Sequence, residues 1–243
     1  MEHRVEEEAR RMVEVFTKTK GKPFDPSLPI TNSVCNMICT VAFGSQFSIE
    51  DKEFLELIEA IRISLEFGGS FFHGKEIDGV LDPSQTICYQ DRKKMPFTHA
   101  VIHEILRTKY VLLFGIPRQC AKDVEMHGFL IPKGAFIAPD LRSVLFDPEH
   151  WETPHKFNPY HFLDQEGNFV TREAFLPFGA GARSCVGEQM ARIELFIFLT
   201  SLLRAFTFHL PKGVKKLNQE PIVGLTMHPR SYKICAVPRF SAP

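Results

Sequence analysis

The chain has 243 residues, of which 44% are hydrophobic and 12% aromatic, enough to bury a substantial core. Lysine plus arginine and aspartate plus glutamate both number 29, so the formal net charge is zero and nothing favours electrostatic capture of nucleic acid. The six cysteines show no paired disulfide spacing, which favours a reducing compartment. Because the first residues are largely charged, no signal peptide or membrane anchor is expected in this chain.

The N-terminal part of the chain is predicted to be helical. Apolar residues recur at helical spacing over 5–16, which predicts an amphipathic first helix. Asn32 or Ser33 is expected to cap a second helix over 34–43. A third apolar stripe, over 48–65, predicts another helix.

Two cysteines, Cys35 and Cys39, share one face of the second predicted helix. A pair of metal ligands is one interpretation of this spacing. Because no histidine or further cysteine pair is near them in sequence, burial of small residues in the core is favoured.

Helices and strands alternate through the rest of the chain. Thr98 is expected to cap a helix over 99–107, and the apolar arms on either side of 132–134 predict a β-hairpin. An almost wholly apolar helix is predicted from Glu188 onward. The last elements are predicted strands at 205–210 and 232–238.

One cysteine stands in a glycine-rich loop directly before the helix that begins at Glu188. Gly179 and Gly181 permit positive φ, and Gly187 permits a flat partner to approach closely just after Cys185. The position of Cys185 at the positive end of the helix dipole favours the thiolate form. The loop is therefore the leading candidate for chemistry.

This loop has three competing interpretations. A nucleotide-binding glycine loop does not fit, because Ser184 stands where G-x-G-x-x-G requires glycine and no Gly-Lys pair follows. A buried cysteine in a tight turn is the second, and it is the common fate of an isolated cysteine. An axial thiolate for haem iron is the third, with Phe178 shielding the sulfur and Arg183 reaching a haem propionate.

The motif Phe178-x-x-Gly181-x-Arg183-x-Cys185-x-Gly187 resembles the haem-binding loop of the cytochrome P450 family, with every motif position filled. The resemblance is closest to microsomal family 2 members. It implies an α+β, mainly α, haem-thiolate fold, with Cys185 as both iron ligand and catalytic residue. The cofactor-binding residues that it implies are Cys185, Arg183, Phe178, Gly179, Gly187 and Arg118.

Glu104 and Arg107 lie three residues apart on a predicted helix, the spacing of a helical ion pair. An exposed pair of this kind is common and weak. The resemblance implies instead a buried pair that supports haem incorporation. It also implies a third partner at His161, where many members of the family have an arginine.

An apolar run over 110–118 reads as an extended wall segment. The resemblance places this run above the haem and the tip of a later loop beside it. It implies that Leu112, Leu113, Ile116 and Leu225 line a substrate pocket, with ordinary core positions as the alternative.

The resemblance covers the chain in two blocks that join near residues 73–75. Members of the family carry a long helix with an Ala/Gly-Gly-x-Asp/Glu-Thr pattern between these blocks, and no such pattern occurs here. We therefore expect an N-terminal helical segment over 1–74 and a haem-binding region over 75–243. Together they would form one domain with an internal deletion, and so an incomplete fold.

The function implied by the resemblance is that of a haem-thiolate monooxygenase, which inserts one oxygen atom into a lipophilic small molecule such as a fatty acid, steroid or xenobiotic. Electrons would come from NADPH through a flavoprotein reductase. The implied location is the cytoplasmic side of the endoplasmic reticulum membrane, with contact to the membrane surface. The alternative is an inactive truncated or spliced product that serves as a haem-binding or interaction fragment.

Overall fold

Helices form most of the fold, and short antiparallel strand pairs lie between them. The structure is a computed structural model that describes residues 1–43, 71–82, 85–109, 114–217, 222–223, 227–228 and 230–240. The described helices are α1 (Glu2–Lys18), α2 (Ser27–Phe43), α3 (Phe71–Val80), α4 (Pro96–Thr108), α5 (Leu141–Leu145) and α6 (Glu188–Ala205). The described strands are β1 (Arg118–Gln119), β2 (Val124–Met126), β3 (Phe129–Ile131), β4 (Phe136–Ile137), β5 (Phe206–His209), β6 (Ile222–Val223), β7 (Met227–His228) and β8 (Cys235–Pro238). Single 3-10 turns cover Tyr89–Lys94, Pro159–Phe162 and Gly181–Arg183.

The main core lies where α1 packs against α6. The apolar stripe of α1 is buried, as its spacing predicts, and Phe16 at its end reaches the rings of Phe206 and Phe208 on β5, with centroids 6.0 and 6.3 Å away. In α6 the residues from Ile193 to Leu203 are buried almost without interruption. Its predicted start at Glu188 is confirmed.

The predicted start of the second helix is wrong. Helix α2 begins at Ser27, because the side chain of Asp25 accepts the Ser27 N–H at 2.9 Å and satisfies a free donor of the first turn. Asn32 and Ser33 consequently lie inside the helix. Cys35 is buried, as predicted. The side chain of Cys39 and the helix predicted over 48–65 lie outside the described residues.

Helix α4 begins at Pro96, so Thr98 is not its cap, contrary to the prediction. The cap comes from another helix, because the Glu76 carboxylate of α3 accepts the N–H groups of Phe97 and Thr98 at 2.9 and 2.8 Å. A carboxylate at a helix N-terminus is favoured by both the free donors and the helix dipole. The segment that follows the predicted junction is thus fixed to α4, and α3 itself runs through residues 73–75.

The region between α4 and α5 contains two strand pairs in place of the single hairpin predicted over 124–138. β2 pairs with β3 across a turn at His127 and Gly128, whose φ angles are 51° and 80°. A two-residue turn with positive φ at both positions matches the twist of a hairpin. The predicted turn around Pro132 instead leads into β4, which pairs with β1.

The strands predicted at the C-terminus are confirmed as the antiparallel pair β5–β8, in which Phe206 faces Pro238 and His209 faces Cys235. A bridge between Phe24 and Ile234 joins this pair to the N-terminal segment. Within the described ranges, no helix combines the length and the apolar character that crossing a bilayer requires.

Candidate functional site

The loop before α6 presents the Cys185 thiol to solvent. Its backbone is shaped by Gly179 and Gly181, whose φ angles are +76° and +72°, a region that residues with a Cβ rarely adopt. The Cys185 N–H donates to the Phe178 carbonyl at 2.9 Å and closes the loop. An exposed thiol excludes the interpretation of Cys185 as a buried cysteine in a tight turn.

Gly187 stands beside the thiol as the residue that precedes α6. A Cβ built on Gly187 would lie 3.8 Å from the Cys185 sulfur, which is ordinary van der Waals contact. A Cβ at this position would therefore not clash with its surroundings. Glycine leaves open space next to the sulfur of Cys185.

Arg118 and Arg183 are both exposed, and both belong to the surface around the cysteine loop. Arg118, on β1, donates from Nη2 to the Ala180 carbonyl within the loop at 3.1 Å. Arg183 lies in the 3-10 turn two residues before Cys185. The structure thus places Arg118, which is distant in sequence, against the loop that carries Arg183.

Glu104 and Arg107 form a fully buried ion pair on α4. Arg107 donates from Nε and Nη2 to the two carboxylate oxygens of Glu104 at 2.8 and 2.7 Å, a bidentate geometry. Glu104 also accepts the Asn158 N–H at 2.8 Å. The pair is therefore not the exposed helical pair that its spacing alone would suggest.

His161 is the third member of this network. Its Nε2 lies 3.2 Å from the Thr153 N–H, which can only donate, so Nε2 is the acceptor and Nδ1 carries the proton. Nδ1 is 3.2 Å from Glu104 Oε2 and donates to it. The imidazole thus joins the carboxylate to the chain before the cysteine loop, in the place predicted for it.

Arg107 also donates to three backbone carbonyls, one at the end of α5 and two in the irregular segment that follows it. They are Leu145 and Pro154, both at 2.8 Å from Nη1, and Lys156, at 3.1 Å from Nη2. The guanidinium lies over the buried Trp151 ring, 4.9 Å from its centroid. These contacts fix a long segment without regular structure, and no sequence spacing predicts them.

A second network, not foreseen from the sequence, lies closer to the cysteine. Arg192 of α6 pairs with Glu188 and donates from Nη1 to His103 Nε2 at 2.8 Å. Its guanidinium carbon is 5.3 and 5.4 Å from the ring centroids of Phe178 and Phe175. The i,i+4 spacing of Glu188 and Arg192 is the only part of this network that the sequence displays.

Three of the four predicted substrate-pocket residues, Leu112, Leu113 and Leu225, lie outside the described residues. Ile116 is described and is 70% exposed. Other apolar side chains of this region are also exposed, notably Phe129 at 75% and Phe136 at 80%. This part of the chain therefore presents apolar surface to solvent.

Glu194 of α6 is buried among apolar residues, with 1% of its surface exposed. Within the described part of the chain neither carboxyl oxygen has a hydrogen-bond partner. Burial raises the pKa of this carboxyl to about 8. Glu194 is thus held in its neutral form near pH 7.

The groups around the loop fit a haem. The thiol of Cys185 is a suitable axial ligand for iron, and the guanidinium groups of Arg118 and Arg183 can pair with two carboxylates. The half-buried Phe178 packs against the main core and ties the loop to the body of the fold. No described feature of the loop conflicts with a flat, dianionic tetrapyrrole.

Comparison with known proteins gives the same family over nearly the whole chain. A family model described as Cytochrome P450 matches residues 1–75 and 73–236. The two matched segments meet at the point where the sequence predicts a junction.

Several individual relatives match the chain. Cytochrome P450 2K6 of Danio rerio is 49% identical over 166 residues, 68% of this chain and 33% of the relative. Cytochrome P450 2D4 of Rattus norvegicus is 47% identical over 165 residues, with the same coverage of both chains. These alignments show that the chain spans about a third of the length of the first curated relatives that it matches.

A longer alignment includes both parts of the chain. Cytochrome P450 2J5 of Mus musculus is 29% identical over 348 aligned positions, which cover 98% of this chain and 69% of the relative. The alignment is longer than the chain itself, so a stretch of the relative inside it has no counterpart here.

Proposed function

The chain belongs to the cytochrome P450 family, and we propose that it provides the haem-thiolate site of a monooxygenase that inserts one oxygen atom into a lipophilic small molecule. The observation that carries the proposal is the exposed Cys185 thiol in a glycine-shaped loop to which Arg118 is hydrogen-bonded. Members of the family use haem iron and receive electrons from NADPH through a reductase.

Each residue of the site has a defined part in this proposal. Cys185 would ligate the iron as a thiolate, and Phe178 would shield the sulfur once the haem is bound. Arg118 and Arg183 would pair with the propionates and so orient the ring. A thiolate-ligated haem, when bound, supplies oxygen activation that favours O–O cleavage.

In the proposed reaction, one atom of O2 enters a C–H bond of the substrate and the other is reduced to water. NADPH supplies the two electrons. Fatty acids, steroids and xenobiotics are the proposed substrates, because the residues proposed for the pocket are the uncharged Leu112, Leu113, Ile116 and Leu225. The proposed electron donor is a flavoprotein NADPH reductase. The proposed location is the cytoplasmic side of the endoplasmic reticulum, against the membrane surface.

A second candidate is a truncated or spliced product that binds haem, or a partner protein, without catalysis. It is favoured by the exposed apolar side chains Ile116, Phe129 and Phe136, which an additional segment could cover. The two matched family segments that meet at 73–75 also support an internal deletion. On this view the segments 1–74 and 75–243 are one incomplete domain.

Reconstitution tests the proposed function. The chain is purified with haem, combined with a flavoprotein NADPH reductase and a medium-chain fatty acid or a steroid, and assayed by mass spectrometry for oxygenated product. We expect NADPH-dependent product that falls to background in Cys185→Ala and persists in the matched control Cys120→Ala. Haem bound without product would favour the fragment, whereas no haem and no product would contradict the proposed site.

The internal deletion has its own test. Tandem mass spectrometry of this protein isolated from its native tissue should find a peptide that runs continuously through residues 73–75 as in this sequence. Peptides in which further residues separate the two sides of 73–75, without the continuous peptide, would show that no deletion exists in the natural protein.

A further inference from the structure

We infer that Arg192 is a positioning residue for the cysteine loop: it holds the aromatic arm formed by Phe175 and Phe178 against α4 through a hydrogen bond to His103. The inference rests on the proposed role of Cys185 as a haem ligand for its functional meaning, but not for its geometry. Neither the family motif nor the sequence spacing singles out His103 or Arg192 for this role.

The guanidinium group of Arg192 links three parts of the fold. Arg192 receives support from its own helix, because Nε and Nη2 donate to Glu188 Oε1 at 2.9 and 2.8 Å. The remaining nitrogen, Nη1, donates across to His103 on α4 at 2.8 Å. The guanidinium carbon lies over the rings of Phe175 and Phe178, 5.4 and 5.3 Å from their centroids. A lysine could not make these contacts together, since it is a single point charge.

The protonation of His103 is set by its other neighbour. Its Nδ1 is 2.9 Å from the His99 carbonyl, which can only accept, so Nδ1 carries the proton and Nε2 offers a lone pair to Arg192. Burial lowers the pKa of His103 well below its ordinary value, and the nearby charges of His99 and Arg192 lower it further. His103 is therefore a permanent acceptor for Arg192 near neutral pH.

Phe178 connects this arrangement to the cysteine. The Phe178 carbonyl accepts the Cys185 N–H at 2.9 Å, so a displacement of Phe178 moves the backbone that carries the thiol. The Phe175 ring also contacts the His103 ring, with centroids 4.9 Å apart. The Arg192–His103 pair thus contacts both phenylalanines of the arm. It thereby restricts the movement of the loop.

The competing explanation is that Arg192 only forms a helical ion pair with Glu188. That pair is partly exposed, and exposed pairs of this spacing contribute little. The variant Glu188→Gln distinguishes the two explanations, because it removes the ion pair while leaving the contacts of Arg192 to His103 and the phenylalanines. Glu188→Gln is therefore the matched control.

Site-resolved hydrogen–deuterium exchange of the Cys185 amide tests the inference on the chain as it exists, with amides of the β5–β8 pair as an internal reference. We expect Arg192→Met and His103→Leu each to speed exchange of the Cys185 amide by about tenfold or more, while Glu188→Gln changes it by less than about twofold. His103→Gln should stay near the original rate, because its amide oxygen can accept from Arg192.

Equal Cys185 exchange in Arg192→Met and the unmodified chain, with unchanged reference amides, would overturn the inference. If Arg192→Met does not fold, the comparison of His103→Leu with Glu188→Gln decides, and equal exchange rates in these two variants would overturn it as well. A second measurement ties the inference to haem: in the reduced, carbon monoxide-bound form, Arg192→Met should convert faster from the thiolate-type to the thiol-type absorption band. Failure of the unmodified chain to bind haem would remove the proposed function and leave the exchange result to decide the role of Arg192.

Discussion

Replacing Arg107 by alanine should lower the free energy of unfolding by about 3–5 kcal/mol, because it leaves a buried charge without its partner. The Glu104 carboxylate has no exposed surface and would keep only the donors of Asn158 and His161. The carbonyls of Leu145, Pro154 and Lys156 would lose the donor that Arg107 now provides to each. Since the whole stability of a domain is about 5–15 kcal/mol, this loss is a large fraction of it, and the unfolding midpoint should move to a much lower urea concentration.

Urea unfolding followed by circular dichroism measures this effect, and Glu7→Ala on α1 provides the control. Glu7 pairs with Arg11 at 2.7 Å, and both side chains are nearly half exposed. Removal of Glu7 should therefore cost no more than about 1 kcal/mol. A loss in Arg107→Ala as small as the loss in Glu7→Ala would show that the buried pair does not hold the segment after α5.

Raising the pH should destabilise this protein through Glu194. The pKa of this carboxyl is raised by burial from an ordinary value of 4.5 to about 8 in the folded chain. Between these values the folded state holds a proton that the unfolded state releases, so the stabilisation that Glu194 contributes is greatest below about pH 4.5, falls as the pH rises, and levels off above about pH 8. From pH 6 to pH 8.5 the loss from this group should be about 3 kcal/mol, at 1.36 kcal/mol for each pH unit below the folded pKa.

The free energies of unfolding of the unmodified chain and of Glu194→Gln, each at pH 6 and pH 8.5, isolate this contribution. The side chain introduced by Glu194→Gln cannot ionise. Between pH 6 and pH 8.5 the variant should therefore lose about 3 kcal/mol less unfolding free energy than the unmodified chain. His99, whose pKa is lowered by burial to about 4, and His103 titrate in the same way in both proteins, and their contributions cancel in the difference. Parallel losses in the two proteins would show that Glu194 is hydrated or paired in the folded state.

Local patterns in the sequence predict those elements that local forces determine. The stripe of α1, the apolar helix α6 and the strands β5 and β8 all follow from spacing and composition. The start of α4 could not be predicted in this way, because its cap is the side chain of Glu76 on another helix. The hairpin turn was misplaced because Pro132 gives a stronger turn signal than His127, although His127 adopts the positive φ.

The candidate site likewise contains some residues that a local sequence pattern predicts and others that it does not. Cys185 with its glycines is a contiguous motif and can be read directly, whereas Arg118 was expected near the haem only through the family resemblance, and its hydrogen bond to Ala180 spans a long stretch of sequence. The Arg192–His103 contact joins two helices, and nothing in either segment alone indicates it. Glu194 gave a usable signal that was missed: it is a carboxylate within an otherwise apolar helix, and such a residue is either partnered or neutral.

The absorption spectrum of the purified, reduced chain with carbon monoxide shows whether Cys185 ligates haem iron as a thiolate. We expect the band typical of a thiolate-ligated haem, present in Cys120→Ala and lost in Cys185→Ala. Absence of haem absorbance from the unmodified chain, or the same thiolate-type band in Cys185→Ala, would show that Cys185 is not the haem ligand.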